Sequence, residues 1–106
     1  MLIKDYFYKD FDGVHYPDAR KGTEYTYGVD FNNFLESEDG TINNVEWSFE
    51  KGVNGKDAGF MPFNPNVVMA VIETPCVGTY TVKCRMGYTA AGAKQHIMVP
   101  LEIKVV

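Results

Sequence analysis

The C-terminal part of the chain, residues 78–106, carries two runs of alternating apolar and polar residues, one on each side of a short turn segment. The apolar positions of the two runs are Tyr80, Val82, Cys84 and Met86, then Ile97, Val99, Leu101, Ile103 and Val105. Because successive side chains of a strand point to opposite faces, this pattern predicts a β-hairpin that turns within residues 89–94 and buries one face. Such a hairpin needs a second sheet to cover its apolar face, so the pattern favours a β-sandwich.

Three earlier segments also have the pattern of strands. Residues 24–31 alternate strictly, and Val45, Trp47 and Phe49 alternate with polar neighbours. Residues 67–73 are apolar at both parities, which predicts a strand covered on both faces. These segments and the C-terminal hairpin give five clear strands.

Two segments between these strands have weaker patterns. Residues 32–41 are polar and contain the Asp39-Gly40 turn, and we expect Phe34 and Leu35 to plug one end of the core. Residues 52–66 are rich in glycine, proline and asparagine, which predicts a flexible loop or a short, irregular strand. No window of a dozen residues has a convincing helical period.

The strand count predicts an all-β protein, an immunoglobulin-like antiparallel β-sandwich of about 7 strands. Two local features agree with this class. Gly78-x-Tyr80-x-Val82 resembles the tyrosine corner that opens a late strand of such sandwiches, and Trp47 stands where a core tryptophan would lie. Trp47 and Tyr80 are therefore the predicted anchors of the core.

The chain of 106 residues is long enough for one domain with its own core. We expect an N-terminal arm over residues 1–22 and the sandwich over residues 23–106. Cys76 and Cys84 lie too far apart along an extended strand for a disulfide, whose Cα atoms must lie within roughly 7 Å, so both are expected to be free thiols, with Cys84 buried. Free thiols fit assembly in a reducing cytoplasm, and neither a signal peptide nor an apolar run of the ~20 residues that a membrane helix needs is recognisable.

Charge is distributed unevenly along the chain. Residues 1–50 hold 4 basic and 11 acidic side chains, whereas residues 51–106 hold 6 basic and 3 acidic ones. An acidic chain without clustered lysine and arginine disfavours nucleic acid as a partner. The asymmetry has two interpretations: complementary patches through which copies of the chain meet, or an uneven spread of surface charge without a role.

No pattern of residues indicates catalysis, a cofactor or a metal. His15 and His96 have no partner at metal-ligand spacing, and the two serines stand in no nucleophile motif. The acidic turns at residues 10–13 and 36–40 lack the full spacing of a calcium loop. We therefore expect a protein that is not an enzyme and that has no cofactor.

The N-terminal arm is rich in aromatic residues. The candidate interface residues among them are Tyr6, Phe7, Tyr8 and Phe11. They have three interpretations: an anchor that inserts into a neighbouring subunit, a stacking platform for carbohydrate, or a segment that folds back onto its own domain.

Two longer motifs carry a family resemblance. These are residues 27–35, Tyr-Gly-Val-Asp-Phe-Asn-Asn-Phe-Leu, and residues 40–47, Gly-Thr-Ile-Asn-Asn-Val-Glu-Trp. Together with the Gly-Thr-Tyr-Thr-Val start of the hairpin at residue 78, they resemble the small immunoglobulin-like structural proteins of tailed bacteriophages, in particular the fiber-tail adaptor family. The resemblance spans residues 24–106 and departs at Phe31 and Phe34, where tryptophan is common, at residues 60–65, and in the arm.

The resemblance implies a non-enzymatic virion component, made in the host cytoplasm, whose partners are tail, connector or fiber subunits. Repetition of one contact around a homo-oligomeric ring would need two complementary patches on each copy. If the arm is the anchor, deletion of residues 1–20 should leave the sandwich folded but stop assembly. The alternative function is a glycan-binding or adhesion module on a particle or a cell surface, which would use exposed aromatic side chains.

Overall fold

The computed structural model describes the backbone of residues 6–10 and the whole of residues 18–106. The described elements are seven strands and one short helix: β1 (Tyr6–Asp10), β2 (Glu24–Asp30), α1 (Asn32–Glu38), β3 (Thr41–Phe49), β4 (Asn54–Met61), β5 (Asn64–Glu73), β6 (Gly78–Ala90) and β7 (Ala93–Val105). The fold is all-β, as predicted.

The strands form two sheets that enclose one apolar core. The order in the first sheet is β1-β2-β5-β4 and in the second β3-β6-β7, which is the strand order of a constant-type immunoglobulin sandwich. All neighbouring strands run antiparallel except β1, which runs parallel to β2. The prediction of an immunoglobulin-like sandwich of seven strands is confirmed.

The predicted C-terminal hairpin is present and is longer than its alternating pattern indicated. Pairing of β6 with β7 continues from Gly78 opposite Val105 to Ala90 opposite Ala93, so the turn consists of Ala91 and Gly92 alone. Both have positive φ, 52° and 75° respectively, as a type I′ turn requires. The core face of the hairpin consists of alternate residues that are almost completely buried: Val82, Cys84, Met86, Tyr88, Ala90, Val99, Leu101, Ile103 and Val105.

The first sheet supplies the opposite wall of the core from β2 and β5. Tyr25, Tyr27 and Val29 alternate into the core from β2, as their pattern predicted. In the central strand β5, both parities are buried, with Val67 and Val68 0% and 1% exposed. The prediction of a strand covered on both faces is confirmed.

A short helix, which the sequence did not predict, closes one end of the core. In α1, Leu35 is buried, and the ring of Phe34 meets Tyr88 edge to face at 5.2 Å. The expectation that Phe34 and Leu35 plug the core is therefore right, although the segment is helical. Asp39 ends the helix in the left-handed region with φ 49°, and Gly40 leaves room for Leu35 and Tyr88.

The segment that was expected to be a loop or an irregular strand forms β4. Seven of its eight residues pair with β5, with register shifts between Asp57 and Gly59 and between Phe60 and Met61. The carboxylate of Asp57 accepts a hydrogen bond from the Gly59 N–H at 2.7 Å. The irregular-strand alternative is confirmed, and the loop alternative is wrong.

The start of β6 has the geometry of a tyrosine corner. The Tyr80 hydroxyl donates a hydrogen bond to the carbonyl oxygen of Cys76 at 3.1 Å, and such a bond to upstream backbone defines the motif. Tyr80 and Trp47 both pack against the core while remaining partly exposed. Both cysteines are free thiols, as predicted, with Cys84 buried and Cys76 exposed.

Residues 18–22, at the end of the predicted arm, contact the sandwich directly. The Ala19 N–H donates to the Lys104 carbonyl, and the Val106 N–H donates to the Ala19 carbonyl, each at 2.8 Å. Ala19 is 1% exposed and belongs to the core. The end of the predicted arm therefore lies against the C-terminal end of β7.

Candidate interaction surfaces

Three of the four predicted interface residues lie in an edge strand of the first sheet. Tyr6, Phe7 and Tyr8 belong to β1, whose backbone pairs with β2. Their side chains, together with Phe11 and His15, lie outside the part of the chain that the structure describes in full.

One end of the second sheet is β3, whose outer edge pairs with no described strand. The backbone of this free edge is regular from Asn44 to Phe49. The other edges of the two sheets differ. Along β4 the register shifts twice, and β7 contains Pro100, which has no N–H, and has Ala19 beside its C-terminal end. Bulges, proline and covering segments are the devices that protect sheet edges from pairing with other chains. The 44–49 segment of β3 has none of them.

An aromatic cluster lies beside this free edge, on the core side of β3. The rings of Trp47 and Phe49 stack in parallel planes, with 6.4 Å between centroids. The Phe49 ring lies against Gly55 of β4, where any Cβ would collide with it. The Nε1–H group of Trp47 is buried and has no hydrogen-bond partner in the described part of the chain.

Apolar surface continues from this cluster towards β4. Phe60 is 47% exposed, and with Val45 and Val68 it lines a cavity of about 130 Å³. The side of the sandwich where β3 faces β4 therefore combines unpaired backbone with partly exposed aromatic and aliphatic side chains.

The outer face of the second sheet contains a polar hollow of about 550 Å³. At its floor, Gly87 has no side chain, and the Asn44 side chain lies over it. Arg85, Lys94 and His96 line the hollow with Glu46 and three side-chain amides. Such a lining suits a polar or anionic ligand.

The uneven charge of the sequence corresponds to a partial separation of basic and acidic side chains between the two sheets. The second sheet carries Lys83, Arg85, Lys94 and Lys104 against Glu46 and Glu102. The described side chains of the first sheet include Glu24, Asp30, Asp57 and Glu73 against Lys56. One sheet is therefore mainly cationic and the other mainly anionic.

The described residues include histidine, cysteine, aspartate and glutamate side chains, the usual protein ligands of metal ions such as zinc. No group of three histidine, cysteine, aspartate or glutamate side chains among them could hold a metal ion. Burial, together with the nearby Asp57 carboxylate, raises the pKa of the Cys84 thiol to about 12, so this group is protonated at neutral pH. Burial and the neighbouring Tyr25 likewise raise the pKa of Tyr27. None of the described helices is long and apolar enough to cross a membrane.

Sequence reasoning did not identify the free edge or the polar hollow. His96 was considered only as a metal ligand, and it is exposed on the outer face of β7. The hollow exists because Asn44, Gly87 and His96 are aligned across three strands. Gly87 within the alternating pattern of the hairpin was the only local signal of it.

Comparisons with protein-family models, with curated proteins and with solved structures found no match.

Proposed function

We propose that this chain is a non-enzymatic structural component of a tailed-phage virion, a tail/fiber adaptor or head–tail component that acts by binding neighbouring protein subunits. Support comes from the resemblance over residues 24–106. Its motifs fall on β2 with α1, on β3, and on the tyrosine corner of β6. These are the elements that shape the core and its β3 side.

The observation that carries the proposal is the surface of the sandwich beside β3. An unprotected edge next to the Trp47–Phe49 pair offers backbone hydrogen bonds and apolar area at one place. Partly exposed aromatic side chains supply much of the binding energy in protein–protein interfaces. The opposite net charges of the two sheets would favour one relative orientation of neighbouring subunits.

A second candidate is glycan binding, and one observation favours it. The hollow around Gly87 has a volume of about 550 Å³ and is lined mainly by polar and charged side chains, and its volume falls within the usual range for small-molecule sites. Among the described residues that line it there is no phenylalanine, tyrosine or tryptophan, which is unusual for a site that stacks sugars.

The first experiment is to sequence the DNA on both sides of the reading frame. Neighbouring genes for portal, tail or fiber proteins would support the virion proposal, and the protein would then be located by labelling purified particles for electron microscopy. Neighbouring genes for secretion or polysaccharide synthesis would contradict it and favour glycan binding.

That second function would be tested by titrating Arg85→Ala and the unmodified protein with acidic and neutral glycans.

A further inference from the structure

We propose that β3 pairs antiparallel with β3 of a second copy of this chain, across a two-fold axis at Trp47, so that the two β3-β6-β7 sheets form one six-stranded sheet. This interface uses the same β3 edge that supports the virion proposal, but it goes beyond that proposal by naming the occupant of the edge. It would hold whether or not the protein belongs to a virion.

The free edge is the first reason. The backbone of residues 44–49 is regular and contains neither proline nor lysine, and its one charged side chain is Glu46. A regular edge strand of this kind tends to pair with another strand. An isologous pair of edges satisfies both copies at once and closes as a dimer.

The side chains select one register among those that a two-fold axis allows. Residues directly opposite each other in antiparallel strands place their side chains on the same face of the sheet. A two-fold axis perpendicular to the sheet must therefore place one residue opposite its own copy, and not opposite the next residue in the sequence. An axis at Glu46 would place two Glu46 side chains opposite each other, and an axis at Ser48 would place Glu46 opposite Glu50. An axis at Val45 would bring the irregularity between Ile42 and Asn44 into the ladder.

An axis at Trp47 avoids these conflicts. It places Trp47 opposite Trp47 of the second copy, and Val45 opposite the second copy's Phe49. Aromatic pairs and pairs of an aromatic with a β-branched residue are among the favourable cross-strand combinations. All three side chains are partly exposed in the single chain, so pairing would bury apolar area that now faces water.

On the outer face, the same register makes the charges complementary. Within one copy, Ser48 lies opposite Lys83, and Glu46 lies opposite Arg85. Across the axis, Ser48 would face Glu46 of the second copy. Each Glu46 would then lie in a row between Arg85 of its own copy and the Ser48–Lys83 pair of the other, with the second Glu46 diagonal to it and not directly opposite.

The test changes the exposed position 48. A charge introduced there would interact with Lys83 of the same copy and, with the opposite sign of energy, with Glu46 of the second copy. Ser48→Glu places a carboxylate beside Lys83 of the same copy but opposite Glu46 of the other. It should therefore leave the fold at least as stable and weaken dimerisation about five-fold. Ser48→Lys is repelled by Lys83 but attracted by the second Glu46, so it should strengthen dimerisation by a similar factor.

Sedimentation velocity of the full chain over a concentration series from micromolar to millimolar would measure the dimer dissociation constant, with urea unfolding of each variant alongside. Glu46→Lys should weaken the dimer, and Glu46→Lys combined with Ser48→Glu should restore it. Thr79→Glu, which adds the same charge opposite Lys104 and away from β3, is the control and should change nothing.

Three outcomes would overturn the proposal. These are a protein that stays monomeric up to millimolar concentration, a dimer that is insensitive to the changes at positions 46 and 48, and shifts of the same sign for Ser48→Glu and Ser48→Lys. Because the measurement uses the purified chain alone, its result is separate from the gene-neighbourhood test of the virion proposal.

Discussion

The Tyr80 hydroxyl ties the start of β6 to the loop before it, through its hydrogen bond to the Cys76 carbonyl. Tyr80→Phe removes this bond and keeps the ring that packs against the core. Since the bond is exposed to solvent, we expect a loss near the lower end of the ~0.5–1.5 kcal/mol typical of one hydrogen bond. Urea unfolding would measure it.

The matched control is Tyr88→Phe on the same strand, whose hydroxyl donates a longer bond of 3.3 Å to the Gln95 side chain. That bond is partly buried, but it is longer and joins two side chains instead of a side chain and the backbone, so the loss there should be smaller. Equal losses at Tyr80 and Tyr88 would show that the corner bond has no special role.

The two cysteines should differ sharply in reactivity. Cys76 is exposed, whereas Cys84 is buried and its pKa is raised to about 12. A thiol reagent at pH 8 should therefore modify one thiol per native chain and two per unfolded chain, because the thiolate is the reactive form. Native Cys76→Ser should not react, and rapid modification of it would contradict the buried position of Cys84.

The raised pKa of Cys84 also makes the free energy of unfolding depend on pH. In the unfolded chain the Cys84 thiol loses its proton near 9.0, its ordinary pKa, whereas in the folded chain it keeps the proton until the pH reaches its pKa of about 12. The contribution of Cys84 to folding is therefore complete below pH 9 and is lost between pH 9 and 12. Cys84→Ala should flatten the fall in the free energy of unfolding over this range.

The β6–β7 hairpin contains one residue that does not suit its turn. Ala91 holds φ at 52° in the type I′ turn, a region that residues with a Cβ enter at a cost. Ala91→Asn should raise the free energy of unfolding by about 0.5–1 kcal/mol, since asparagine followed by glycine is the preferred pair in such turns.

The neighbouring position gives a control of opposite sign. Gly92 has φ 75° and open space around its Cα, so Gly92→Ala should destabilise the hairpin by backbone strain alone. Urea unfolding of both variants would check this. A destabilised Ala91→Asn would contradict the assigned turn.

The elements show which parts of the fold can be predicted from the sequence. The hairpin, β2 and β5 follow from alternation or continuous burial, which are local patterns. The α1 helix has seven residues and no side-chain cap at Phe31, so neither of the usual signals of a helix was present. The free edge of β3 follows from strand order, and strand order depends on pairings between distant parts of the chain.

The candidate surfaces were less predictable for the same reason. Trp47 packs against the core but remains partly exposed on β3, an edge strand of its sheet. The hollow around Gly87 requires the alignment of β3, β6 and β7. Alternation gives the face of a residue and does not give its distance from the edge of the sheet.

Two truncations would separate the contribution of the arm to stability from that of the sandwich. Deletion of residues 1–20 would also remove Ala19, which is buried and hydrogen-bonded to Lys104 and Val106. Deletion of residues 1–17 keeps Ala19 and removes β1, one edge strand of the first sheet. We expect the shorter deletion to fold with a modest loss of stability, and the longer one to lose distinctly more, because the longer deletion also removes the buried Ala19 and its two backbone hydrogen bonds.

Circular dichroism and urea unfolding of both truncated chains would measure this difference, and complementation of a phage that lacks the gene would test assembly. If the arm is a subunit anchor, the chain without residues 1–17 folds but does not restore complete particles. Restoration of particles would contradict the anchor. Unfolding of the shorter deletion would instead place the arm in the core of its own domain, since the described strands β2–β7 would then be unable to hold the fold without it.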